Sequence, residues 1–345
     1  MTQPINLVGV PGSPYSRKML ALLRYRTIDY RVIWGDANLP DTLRDIPKPK
    51  ISLIPVFYLP NDDGDLEAVT DSSPILRRLE ESHKGRSVIP THPALAFLNE
   101  VIEDYADEWL TKAMFHYRWH YAPDIEKAKT ILPLYHNVRA ARDALAPLSD
   151  TIAERQISRL SYVGSNEVTK ATIENSFRRF LSLFDRHLQI AGFVLGSRPA
   201  SADFAIYGQL TQLALFDPTS RDVILQDFPR IAAWVELVED LSGLDGEAAD
   251  WFDVAALPES LRALLAEIGN LYLPYLQANA AAVANGDALV ETELDGRAWT
   301  QNPFPYQAKC LHWLKQSFAA LSDDDKELVG TAAGDSALIA GLQDG

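Results

Sequence analysis

The order of apolar runs and chain breakers in the first 84 residues of this 345-residue chain leaves few folds open. Ile5 to Val10 is a short apolar run that stops at Pro11-Gly12, which suits a buried strand. Ser16 to Tyr25 then sets Met19, Leu20, Leu22 and Leu23 at helical spacing. Tyr30 to Trp34 is a second β-rich run. A Pro- and Lys-rich loop, Pro47-Lys48-Pro49-Lys50, leads to Ile54-Pro55 and a third strand, Val56 to Leu59. Asn61 to Asp65 is a turn signal, and Leu66 to Thr70 pairs back as a hairpin. Ser72-Ser73-Pro74 opens a helix, because Ser is a favoured cap and Pro is tolerated in the first turn.

The resulting order is β-α-β, a connector, then β-β-α, which is the connectivity of a thioredoxin-like α/β domain over residues 1–84. Residues 85–93, with Gly85, Pro90 and Pro93, read as a linker. Residues 94–345 read as an all-α domain, with an extension from about 250. Its expected helices are Leu98 to Tyr121, Glu174 to Ile190, Ala202 to Leu215 and Phe228 to Leu241. Val101, Tyr105, Trp109, Ala113 and His116 share one stripe of the first. Ala288 to Trp299 alternates around Asp295-Gly296, a hairpin signal, so a small β-hairpin insertion is expected before a last helix near Pro305 to Leu321.

Length alone suggests about two domains. The net charge of −15 argues against nucleic acid as a partner, since neutralising phosphates takes Lys and Arg. No apolar run is long enough to span a bilayer, so no membrane role is expected. Met1 to Asn6 lacks a basic stretch followed by an apolar one, and the single cysteine, Cys310, has no disulfide partner. A cytoplasmic location is the expectation. Cys310 falls in an apolar helical pattern and reads as an inert buried thiol.

Three groups of residues carry chemistry. Ser13-Pro14-Tyr15-Ser16 sits where the first strand hands over to the first helix, at the place where thiol oxidoreductases of this fold carry Cys-x-x-Cys. Serine at both positions excludes dithiol chemistry. A serine hydroxyl at a helix N-terminus instead donates to a bound thiolate, while the helix end adds positive potential. The same Ser-Pro also serves simply as a cap. Pro55 falls where the fold places a cis bond, leaving the backbone of Ile54 to pair with an extended peptide; an ordinary strand-start proline is the plainer reading. Asp71 supplies a carboxylate for an ammonium, and Ser72 with the amides of the following helix suits a carboxylate. Helix capping is compatible with that role.

In this order, the three groups resemble the glutathione transferase family, a serine-type, bacterial-like member with an extended C-terminal helical region. The match covers the N-terminal 85 residues well and the helical domain in part. The resemblance implies that Ser13 is the catalytic group activating the glutathione thiol, that Ile54 and Pro55 bind the cysteinyl backbone, and that Asp71-Ser72 grips the γ-glutamyl end. Asp71 stands where the family often has Glu. Ala202-Asp203-Phe204 resembles the family's helix start in the second domain. Ala200 there replaces the usual Ser or Thr, so half a capping box is missing unless Ser201 substitutes. The resemblance also implies a homodimer, with Arg77, Arg78, Asp104, Asp107 and Glu108 available for cross-subunit charge pairs. Residues 123–170 and those after about 250 exceed an ordinary member and carry no readable motif.

The expected activity is attack of the glutathione thiolate, glutathione being the co-substrate, on a small hydrophobic electrophile. The alternative is a non-catalytic module of the same fold that binds a ligand or a protein partner. Ser16 is the main rival to Ser13, and Tyr15 a weaker one. Tyr15, Trp109 and His116 are candidates for a hydrophobic substrate pocket, although an aromatic stripe is more often core. His116 and His120 share a helix face, but nothing near them completes a metal site, so no metal is expected.

Overall fold

The computed structural model of the chain describes residues 4–35, 38–49, 51, 53–245, 250–334 and 336–343. Met1 to Gln3 and Lys50 of the expected loop lie outside them. The first domain runs β1 (Ile5–Gly9), α1 (Pro14–Tyr25), β2 (Tyr30–Trp34), α2 (Asp41–Arg44), β3 (Val56–Pro60), β4 (Leu66–Val69) and α3 (Ser72–Ser82). Its sheet has the order β2-β1-β3-β4. β1 runs parallel to β2 and antiparallel to β3, and β3 pairs antiparallel with β4. The Ile54–Pro55 bond is cis. Strand alternation sorts the two faces. Leu7 and Phe57 join Met19, Leu22 and Leu23 of α1 and Leu76 and Leu79 of α3 in the main core. Val8, Ile33 and Tyr58 turn to the other face, against Leu43 of α2.

The helical region begins with α4 (Pro93–Tyr105), a π turn (Ala106–Leu110) and α5 (Thr111–His120), where the sequence suggests one continuous helix. Burial there is not confined to the predicted stripe: Asp107, Glu108 and Lys112 are buried with Trp109. Next come α6 (Ala122–Ile131), a 3-10 turn (Leu132–Tyr135), α7 (Arg142–Ile157) and α8 (Leu160–Val163). Then follow α9 (Lys170–His187), α10 (Ser201–Leu210), a π turn (Thr211–Phe216), α11 (Pro218–Asp227) and α12 (Pro229–Val238). The extension holds α13 (Glu259–Glu267), α14 (Leu273–Asn285), the hairpin β5 (Val290–Leu294) and β6 (Arg297–Gln301), and α15 (Pro305–Ala319). The hairpin turns at Asp295-Gly296, at φ 57° and 68°. Two further helices, α16 (Asp323–Ala333) and α17 (Leu338–Gln343), follow the expected last one. Ser322 caps α16 by accepting from the Asp325 amide at 3.1 Å, and Asp323 to Asp325 favour its positive end.

The missing half of the α10 capping box is filled from another helix. Asp203 accepts from the amides of Ala200 and Val194, each at 2.8 Å. Asn99 of α4 accepts from the Ala202 amide at 3.1 Å. Ser201, the candidate substitute, does not take the cap role; its hydroxyl bonds Glu103 and Asn99.

One apolar core joins both domains, from Leu7 to Leu342. Where α1 crosses α10, a Cβ at Gly208 would lie 2.6 Å from the Pro14 carbonyl oxygen. Backbone does not yield as a side chain would. Gly208→Ala is therefore expected to cost about 1–3 kcal/mol, read as a lowered denaturant midpoint. Gly192→Ala, where the added methyl meets nothing within 4 Å, is the control and should be near neutral; equal midpoints for the two variants would refute the steric account.

Candidate active site

The turn after β1 delivers Ser13 to the N-terminus of α1. Its Oγ accepts from the Ser16 amide at 3.2 Å and donates to the Ile54 carbonyl at 3.4 Å. Ser13, Ile54 and Pro55 are thus together, at a helix end whose unpaired amides favour negative charge. The two rivals are committed elsewhere. Ser16 is fully buried, and its hydroxyl accepts from the Val10 amide at 3.3 Å. The Tyr15 hydroxyl donates to the Asp107 carbonyl at 2.8 Å. Burial, then the neighbouring Glu108 and Asp107 carboxylates, hold the Tyr15 phenol well above its ordinary pKa.

The loop before Ser13 is clamped by the helical region. Arg118 donates to the Gly12 carbonyl at 2.9 Å, and Gln212 to the Pro11 carbonyl at 3.2 Å. Arg118 is itself fixed by Asp217 and Gln212. From above, Leu132 and Tyr135 press on Gly12: a Cβ there would stand 2.4 Å from Leu132 Cδ2. Within the segment 123–170, the turn at Leu132–Tyr135 thus covers the Gly12 loop.

Asp71 precedes α3 at φ 83°, a conformation that costs a residue with a Cβ about 1–3 kcal/mol. Its side chain does not cap the helix; its Oδ2 accepts from the Tyr306 hydroxyl at 2.7 Å. Behind it, Lys18 of α1 donates to Ser72 at 3.4 Å and Ser73 at 3.2 Å, and pairs with Glu103 at 2.8 Å and Asp107 at 2.5 Å. Arg77 adds a second cation on Glu103 at 3.0 Å. Burial would raise Glu103, but Arg77 and Lys18 outweigh it and hold the carboxyl well below its usual range. Asp107 goes the other way, pushed up to about 6 by burial and by Glu103, against the pull of Lys18. Burial alone would lower Lys18; the two carboxylates raise it and keep it charged. The network joins the helix that starts at Ser13 to the helix that starts at Ser72.

Lys18, Arg118, Gln212 and Tyr306 are absent from the sequence expectations. For Lys18 a signal exists: it shares a helical stripe with Ala21, Leu22 and Tyr25, all buried.

The remaining candidates lie within the helical core. Trp109 packs on Tyr275 at 5.5 Å and Trp299 at 5.4 Å, and its indole donates to Ser176 at 3.2 Å. His116 is held between Ser165 at 2.8 Å and Glu174 at 3.1 Å. Neither ring makes its contacts at Ser13: Trp109 faces Tyr275, Trp299 and Ser176 and His116 faces Ser165 and Glu174, whereas Asp107 and Arg118 of the same run face Tyr15, Lys18 and Gly12. Among the described residues, no group of three or more His, Cys, Asp or Glu side chains is placed to hold a metal. No helix of the described residues is long and apolar enough to cross a membrane. The charges expected to pair across subunits are used within one chain. Arg77 pairs with Glu103 and Arg78 with Glu67. Asp104 accepts from Tyr272, Asp107 from Lys18 and Glu108 from Gln307. Cys310 is buried, and burial first, then Asp104 and Glu108, push its thiol far up.

Residues 7–87 match the family model described as "Glutathione S-transferase, N-terminal domain", and residues 136–237 match "Glutathione S-transferase, C-terminal domain", together just over half of the chain. No curated protein matches the sequence. Similar solved structures include a glutathione S-transferase from Methylobacterium radiotolerans in complex with glutathione sulfonate. It is 19% identical with a TM-score of 0.39, the match covering 69% of this chain and 91% of that one. A glutathione S-transferase from Rhodospirillum rubrum is 17% identical with a TM-score of 0.41, covering 76% and 91%. A GST-like protein from Pseudomonas syringae is 16% identical with a TM-score of 0.40, covering 69% and 67%. On the two family matches and on the β-α-β, β-β-α domain joined to a helical one, the chain belongs to the glutathione S-transferase family.

Proposed function

We propose that this chain is a glutathione-dependent transferase whose bound thiolate attacks an electrophilic carbon of a small hydrophobic molecule. The observation that carries the reading is Ser13, a hydroxyl at the N-terminus of α1 set against the Ile54 carbonyl beside Pro55. With glutathione paired along Ile54, the sulfur lies near Ser13, whose O–H turns to donate to it. The thiol proton leaves to solvent, the sulfur lone pair forms the new C–S bond, and the electrophile takes up the displaced electron pair. Asp71 meets the α-ammonium of the γ-glutamyl group, and Ser72 with the first amides of α3 meets its carboxylate. The domain division at residues 84 and 94, and a cytoplasmic location, belong to the same reading.

Titration of the purified protein with reduced glutathione, followed by a turnover assay with a generic electrophile, tests it. Binding with turnover supports the transferase; binding without turnover for any electrophile tried replaces it with the non-catalytic module. The homodimer implied by the family resemblance is part of the proposal, with a changed face, because Tyr272, Gln307 and Ser317 of the extension engage Asp104, Glu108 and Glu100 of the expected one. Light scattering at micromolar concentration reads the mass, and a monomer removes the dimer.

A further inference from the structure

Asp71 is bonded to a side chain that arrives from far down the chain. Tyr306, which donates to Asp71 Oδ2 at 2.7 Å, lies in the first turn of α15, beyond residue 237 where the second family match stops. Its seat is fixed on both sides. Phe304 is clasped by Asn279 of α14, which donates to its carbonyl at 2.9 Å and accepts from its amide at 2.8 Å. Gln307 donates to Glu108 Oε2 at 2.8 Å and accepts from the Tyr275 hydroxyl. Asn279, Gln307 and Tyr275 are all buried. The Tyr306 ring is flanked by Phe304 at 6.2 Å and Trp313 at 6.0 Å. Burial, then nearby Glu108, Cys310 and Asp71, raise the Tyr306 phenol far above its ordinary pKa, so it stays a donor.

We propose that Tyr306 is a positioning residue of the glutathione site: it fixes the Asp71 carboxylate so that this group receives the α-ammonium of a γ-glutamyl ligand. The inference rests on the reading of Asp71 given under Proposed function. An ionised carboxylate accepts several hydrogen bonds at once, so the ammonium joins Tyr306 without displacing it. A movable lid would be held by few buried contacts; this tyrosine is bracketed by buried amides. The ligand class selected is a thiol peptide with a free α-amino group on its γ-glutamyl residue, because only that group profits from a carboxylate already in place.

Calorimetric titration of the full chain and Tyr306→Phe, with glutathione and with its des-amino analogue, tests the inference. The variant is expected to bind glutathione about tenfold more weakly and the des-amino analogue as wild type does, with a thermal midpoint close to wild type. In turnover, KM for glutathione rises while kcat changes far less. In an Asp71→Asn background, Tyr306→Phe adds nothing. Equal weakening of both ligands, or tighter glutathione binding as removal of a lid would give, overturns the inference, as does additivity with Asp71→Asn. If the wild type binds glutathione and Tyr306→Phe binds it equally well, this inference alone falls. If the wild type binds no glutathione, the reading beneath it falls as well.

Discussion

Ser13→Ala is expected to lower turnover roughly 10- to 100-fold while glutathione still binds. In the role proposed for Ser13, the variant removes a hydrogen bond to a charged sulfur, which is worth roughly 1.5–3 kcal/mol. One pKa unit corresponds to about 1.4 kcal/mol, so the apparent pKa of the bound thiol rises by about one to two units. The sign follows from the donor: without it the thiolate is less favoured, and the pH at which half the thiol ionises moves up. Thiolate absorbance of the bound peptide against pH reads this directly. Asp71→Ala fails differently, mostly in affinity, because its charge acts in ground state and transition state alike. Ser16→Ala leaves the Val10 amide without its partner, so its loss falls on stability rather than on the thiol. The assignment is lost if Ser13→Ala keeps the wild-type thiol pKa and turnover while Ser16→Ala lowers turnover.

The largest loss of stability is expected from Arg118→Ala. Arg118 and Asp217 are both buried, joined by two bonds of 2.8 and 2.9 Å. Removing the guanidinium strands a carboxylate that burial already pushes up to about 6. Breaking one partner of such a pair costs about 3–5 kcal/mol, so the thermal midpoint should fall by on the order of 10 °C. Asp217→Asn added to Arg118→Ala should recover part of the loss, since the stranded charge is then gone. A double variant no more stable than the single one would show that desolvation is not the cause. The Gly12 carbonyl also loses its donor, so turnover should drop well below the melting range.

How much of this was readable depends on how local each signal is. The first 84 residues are punctuated by neighbours: Pro11-Gly12 ends β1, Ser13-Pro14 opens α1 and Asn61 to Asp65 turns β3 into β4. Those choices are made within a few residues, and so are the Asp295-Gly296 hairpin and the Ser13, Pro55 and Asp71 positions. Lys18 and Arg118 are different. Lys18 lies on a stripe of apolar residues, but the carboxylates that let it and Arg118 be buried as charges, Glu103 and Asp217, come from distant parts of the chain. The π turns at 106–110 and 211–216 and the cap that Asn99 lends to α10 are likewise settled by packing between helices. Tyr306 has no local signal, because its partner is 235 residues away.

That separation has a consequence in time. A ribosome adding about 5–20 residues per second releases Asp71 and Ser13 long before it reaches Tyr306, by roughly 10 to 50 seconds. During that interval the nascent first domain carries Ser13 but lacks the tyrosine hydroxyl that donates to Asp71. The buried faces of α4 and α5, with Glu108 and Lys112, also wait for α14 and α15 to cover them. Until those helices emerge this interior stays open to water, and the bond that holds Asp71 forms only once residue 306 has been added.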